Sequence, residues 1–214
     1  MKNHDPSNTI HHTAIIGENV SLGINNIIGP YCFITGDTTI GNGNKFEAFC
    51  SVGTAAEDYS KDVQKGDLFI GNDNIFREFS TINAGTSRST IIANRVKMLR
   101  GSHVGHDAIV NNDVVLSCNV LIGGHSMIYK GANLGLGSIV HQFSKIGAYC
   151  MIGMGTVVTK KTICEPGYTF VGNPAHSIGE NITGLERNKI SHEEIYELRS
   201  TFNNLKNKDN EFTY

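Results

Sequence analysis

Aliphatic residues recur along this chain at a strict interval of six. Ile92, Met98, Val104, Val110, Leu116, Ile122, Ile128, Leu134, Val140, Ile146, Ile152 and Val158 form one unbroken run, and the same spacing joins Ile10, Ile16, Leu22, Ile28, Ile34, Ile40, Phe46 and Val52. It returns at Ile70, Phe76 and Ile82. A period of six is neither the 3.6 of an amphipathic helix nor the alternation of a long strand. It places one inward residue on each short strand of a parallel β-helix, and three hexads close a triangular coil of about eighteen residues. Position modulo six therefore acts as a structural coordinate.

The pattern breaks twice. Eighteen residues separate Val52 from Ile70, so one coil is read as replaced by a protruding loop, 53–67. Ten separate Ile82 from Ile92, so a shorter loop, 84–90, inserts four extra residues. Long loops on a rigid repeat are where binding groups concentrate. The prism is assigned to residues 1–172, and 173–214 to a link and a C-terminal helix. Ser191 and Glu194 stand at the spacing of a capping box, and Ile195, Leu198, Phe202 and Leu205 follow at helical intervals. They predict a helix over about 191–207 that packs one face on the prism, its exposed end included, or on a neighbour.

Composition agrees. The 214 residues include 24 Gly, with Asn and Asp to supply corners of positive φ. The formal net charge of -2 and the lack of a basic run recommend neither nucleic acid nor a membrane surface as partner. No apolar stretch is long enough for an integral membrane segment and the polar start MKNHDPSN lacks a secretory h-region, so a cytoplasmic protein is expected. Cys32, Cys50, Cys118, Cys150 and Cys164 are odd in number, form no CxxC and read as packing residues.

Candidate chemistry gathers on one edge. At eighteen residues per coil, position 106 lies under 124 and 142, so His125 and the pair His141-Gln142 stack near His106, with His103 just before it. Three readings fit such a ladder: a general base, with Asp107 orienting the ring; a zinc site; or polar groups on a solvated corner. His103 and His106 point to different sides of one strand and corner, which disfavours zinc.

The runs GSHVGHD (101–107), GGH (123–125), VHQF (140–143) and GENITGLERNKIS (179–191) resemble the UDP-N-acetylglucosamine acyltransferases of lipid A synthesis. These are left-handed parallel β-helix homotrimers with active sites between subunits that take acyl groups from acyl carrier protein. The resemblance implies that His106 is the general base, with Asp107 holding its other nitrogen and the Gly124 N–H facing the oxyanion. Asp58, His103, His125, His141, Gln142, Asn181 and Arg187 would contact the nucleotide-sugar substrate or the acyl chain. No metal or tightly held cofactor is implied. Arg95, Lys97 and Arg100 would contribute a basic rim for the acidic carrier protein.

The match departs in places. The family's loop motif Gln-Asp-Leu-Lys aligns with Glu57-Asp58-Tyr59-Ser60, and Lys61 comes one place late. The helical tail is about half the family's length, and GNPAHSI resembles acetyl-CoA-dependent sugar acetyltransferases. Met154 stands where the family admits a long acyl chain with Gly. The expectation is 3-O-acylation of UDP-N-acetylglucosamine with a short or medium 3-hydroxyacyl chain. Two alternatives stay open: an acetyl-CoA-dependent acetyltransferase of a nucleotide amino sugar, and a non-catalytic or metal-binding prism.

Overall fold

The computed structural model describes residues 5–58 and 66–209, the side chains of 205–209 apart. Leu205 and the loop positions Tyr59, Ser60 and Lys61 lie outside that description. The chain winds into a parallel β-solenoid of about nine coils with three faces. Face A begins with Thr9–Ile10, face B with Ile15–Ile16 and face C with Ser21–Leu22. Most strands have two residues, as expected when every sixth residue must turn inward.

Register follows the hexads. Thr9 pairs with Ile27 and Ile27 with Lys45, each eighteen residues on, and the same step links Lys97, Val115, Asn133, Met151 and Thr169. Every hexad residue from Ile28 to Val158 is at most 3% exposed. The first three, Ile10, Ile16 and Leu22, are only partly buried because no coil lies before them. Inside the column Phe46 and Phe76 stack 4.5 Å apart. Cys32, Cys50 and Cys150 occupy the small buried position two residues before each hexad residue, and Cys164 is also buried, whereas Cys118 is only half-buried.

The first loop corrects one expectation. Lys45 pairs with Ile75, thirty residues on, and Ser51 with Thr81, so no coil is lost. A complete coil carries twelve extra residues between Ser51–Thr54 on face B and Leu68–Ile70 on face C. The second insertion stretches the next register step to twenty-two, Ile75 to Lys97, and leaves from the same corner between faces B and C.

The three corners differ. Positive φ falls on Tyr31, Phe49, Phe79 and Asn119 between faces A and B, on Asn25, Asp73, Arg95 and Asp113 between C and A, and on Asp107, His125 and Phe143 between B and C. At the C–A corner an asparagine ladder replaces apolar packing in the early coils. Asn8, Asn26, Asn44 and Asn74 each accept the N–H of the residue one coil on, at 2.7–3.1 Å. A buried carboxamide that satisfies the next coil costs little, whereas an unpaired one would be expensive.

The link is more structured than its Gly and Pro content suggested. Tyr168–Val171 adds a last parallel rung to face A, and His176–Glu180 folds back antiparallel on it and covers the edge. Helix α1, Ile182–Arg187, follows, then α2, His192–Asp209. Ser191 and Glu194 exchange the two capping-box hydrogen bonds, 2.8 and 3.2 Å. Leu185 and Ile195 pack with Ala148, Tyr149 and Tyr129, so the helices lie along the C–A corner and not over the end of the prism.

Candidate active site

Both insertions leave the B–C corner, and the corner residues beside them are His106, Asp107 and His125. Asp107 is fully buried at φ 60. Its carboxylate accepts the Arg88 N–H at 2.7 Å, the Thr86 Oγ1–H at 2.7 Å and the Thr86 N–H at 3.1 Å. The Asp107 N–H donates to Thr90 Oγ1 at 2.8 Å. Burial alone would push this carboxyl up, but hydrogen bonds from His106, Thr86 and the Arg88 backbone prevail and hold it down to about 2.

His106 Nδ1 lies 2.6 Å from Asp107 Oδ2, and its side chain is 12% exposed. An ionised carboxylate can only accept, so Nδ1 carries a proton toward it, and the neutral form of the ring then has its lone pair on Nε2. That Nε2 faces Gly124: a Cβ added there would stand 2.8 Å from it. The Gly124 carbonyl accepts from Phe143, while its N–H has no acceptor among the described residues. The His106 ring nitrogen and a backbone N–H without an acceptor among the described residues thus lie on neighbouring coils of one corner.

Around this pair stand rings. His125 meets His106 edge-on at 5.1 Å and stacks on Phe143 at 4.4 Å. Its Nε2 is 3.8 Å from Asp107 Oδ2, and burial lowers its pKa, with Asp107 opposing. His103 donates to or accepts from Thr81 Oγ1 at 2.8 Å, and burial lowers its pKa against the pull of Glu57. His141 is exposed and its Nδ1 donates to the Gln142 carbonyl at 2.8 Å.

Other candidate residues lie elsewhere on the single chain. Asn181 caps α1: its Oδ1 accepts from Gly184 and its Nδ2 donates to Tyr149 at the C–A corner. Arg187 ends that helix. Met154 is 73% exposed at the A–B corner. Arg95 is paired with Asp113 at 2.7 and 2.9 Å across two coils of the C–A corner. Asp58 lies in the first loop and interacts with His125 electrostatically.

Sequence reasoning did not single out Thr86, Ser87, Arg88, Thr90 or Phe143. A signal for the first four was present, because position 107 less one coil falls on the inserted segment itself. Ligand atoms of His106, Asp107 and His125 lie within 4.8 Å of one another, a set that brings two imidazoles to one carboxylate. A cation there would have to replace the His106 proton on Asp107 Oδ2, and the carboxylate is already filled by donors from Thr86 and Arg88, so the groups present fit an acid–base pair better than zinc.

No protein-family model matches the chain. The chain is 33% identical to the acyl-[acyl-carrier-protein]–UDP-N-acetylglucosamine O-acyltransferase of Stutzerimonas stutzeri, over 92% of this chain and 82% of that one. The enzyme of the same name from Sinorhizobium fredii is 31% identical over 94% and 79%. Among solved structures, the UDP-N-acetylglucosamine acyltransferase from Campylobacter jejuni matches with a TM-score of 0.76 at 27% identity, over 94% of this chain and 83% of that one.

Proposed function

The chain belongs to the acyl-[acyl-carrier-protein]–UDP-N-acetylglucosamine O-acyltransferases, and from that premise we propose how its residues carry the transfer. The observation that supports the reading most is the His106–Asp107 pair, with Nε2 aimed at Gly124. His106 Nε2 takes the proton of the sugar 3-hydroxyl as its oxygen attacks the thioester carbon. The carbonyl oxygen turns into an oxyanion facing the Gly124 N–H, a contact worth about 2.7–4 kcal/mol in comparable sites. Collapse expels the carrier thiolate, and His106 returns the proton to it. Asp107 stays ionised and stabilises the imidazolium.

Asp58, His103, His125, His141 and Gln142 are assigned as the substrate contacts on the His106 side of the chain. Asn181, Arg187 and Met154 sit at other corners, so they reach a His106 site only from a neighbouring copy. This placement supports a homotrimer with sites between chains, for which sedimentation should give three times 23.3 kDa. Met154 then shortens the acyl pocket. No described helix is long and apolar enough to cross a membrane. Carrier-protein thioesters and nucleotide sugars are cytoplasmic substrates, and the enzyme is proposed to work there.

The test is transfer to UDP-N-acetylglucosamine from 3-hydroxyacyl carrier proteins of several lengths and from acetyl-CoA, followed by mass spectrometry. Product from short and medium carrier-bound chains is expected. Product from acetyl-CoA alone, on an amino-sugar acceptor, would replace the donor and acceptor named here.

A further inference from the structure

The segment between Ala84 and Thr90 exists only because four residues were added to one coil; Gly85 ties it to the end of the first loop, and Thr86 and Arg88 turn to the corner that carries the dyad. Its backbone N–H groups at Thr86 and Arg88, and the Thr86 hydroxyl, converge on one buried carboxylate. The Arg88 side chain does something different. Its Nε donates to the Asp107 carbonyl at 2.7 Å and a terminal nitrogen to the His125 carbonyl at 3.0 Å. Those carbonyls belong to corner residues of successive coils, both at positive φ, 60 and 59.

A guanidinium is a rigid planar fork, and binding two carbonyls with it fixes their separation and direction. The two corners it joins hold Asp107, which orients His106, and His125, whose ring meets His106 edge-on. We propose that Arg88 and Thr86 are positioning residues for acyl transfer: Arg88 staples the Asp107 corner to the His125 corner, and Thr86 holds the carboxylate in the orientation that keeps the proton on His106 Nδ1. The inference rests on the acyltransferase reading for its kinetic consequences, but the proton placement can be observed without turnover.

Loss of the Thr86 hydroxyl frees the Asp107 carboxylate to turn away from Nδ1, so the Nδ1–H tautomer is no longer enforced, while the less compensated Asp107 charge favours the protonated imidazolium. The charged or titratable groups that share this surrounding are His103, His125, Glu57, Asp58, Arg88 and, near Arg88, Lys145. Arg88 and Thr86 touch no reacting atom, so their removal should lower kcat and leave KM nearly unchanged.

The experiment compares Arg88→Ala, Arg88→Lys, Thr86→Val and Thr86→Ser in the full chain. Transfer kinetics across pH are paired with nitrogen-15 side-chain spectra of His106 and a thermal melt. Arg88→Ala should lower kcat about tenfold, since small displacements of a reacting group are costly, with both imidazole tautomers present. Arg88→Lys should restore only part, because an ammonium is not a planar fork. Thr86→Val should lower kcat by a similar factor and move the acid limb of kcat/KM to higher pH, and Thr86→Ser should restore both. If Arg88→Ala does not fold, the Thr86 pair decides alone. A wild-type kcat, pH profile and tautomer in the Thr86→Val or folded Arg88→Ala protein would overturn the proposal. A wild-type protein silent with every donor, whose tautomer still responds to the substitutions, would sink the acyltransferase chemistry and leave the positioning role standing.

Discussion

Two corners of this prism carry stacked rings on the same backbone conformation, and only one of them holds a buried histidine–aspartate pair. At the A–B corner Tyr31, Phe49 and Phe79 stack at 5.2 Å with positive φ, and all three are about half exposed. At the B–C corner His125 stacks on Phe143 at 4.4 Å in the same conformation, and Asp107 stands one coil before. The difference lies in the insertions. The A–B corner continues coil after coil with no added residue, so its side chains face solvent. The B–C corner gains two loops, and one buries Asp107 beneath Thr86 and Arg88. A repeat supplies register; an interruption of the repeat supplies an environment.

The sharpest way to break this contrast is His106→Ala. It should lower kcat by about 10²–10⁴, the usual worth of a general base, with little change in the melting temperature. Gly124→Ala comes next: its methyl would press on His106 Nε2 from 2.8 Å. About a hundredfold loss of kcat is expected from displacing the base.

Asp107→Asn tests the buried environment by stability. The amide would turn an NH₂ toward donors that need an acceptor, at about 1–3 kcal/mol in urea titration. The acid behaviour has a definite sign. A folded-state pKa of about 2 contributes stability that is complete above the unfolded carboxylate value near 3.9. It is lost as pH falls from about 4 through about 2, and Asp107→Asn should remove that part of the decline. The smallest effect belongs to the other corner. Phe49→Asn forfeits two ring contacts worth about 0.5–1.5 kcal/mol each but places a residue that tolerates positive φ. A net loss of about 1 kcal/mol with unchanged transfer is expected, and a large loss of activity would erase the distinction between the corners.

The solenoid was legible because the inward column tolerates few exceptions: Ile28, Met98 and Val158 lie where modulo-six counting puts them. The same counting stacked His106, His125 and Gln142 on one corner. It failed where residues leave the repeat. Thr86 and Arg88 have no modulo-six address, so their convergence on Asp107 could not be read, although the loop's departure beneath that residue could. The link shows a second role for one of its residues. Asn181 matched a nucleotide-contacting position, yet on the single chain its carboxamide is occupied by Gly184 and Tyr149. Short helices such as α1 depend on such caps more than on periodicity. The first loop was miscounted as a missing coil because eighteen residues match one coil whether it is absent or twelve residues are inserted.

The most direct measurement places wild type and His106→Ala side by side with UDP-N-acetylglucosamine and a medium-chain 3-hydroxyacyl carrier protein, reading the acylated sugar nucleotide by mass spectrometry. Product from the wild type and at least a hundredfold slower formation by the variant are expected. Equal rates from the two proteins would contradict that expectation.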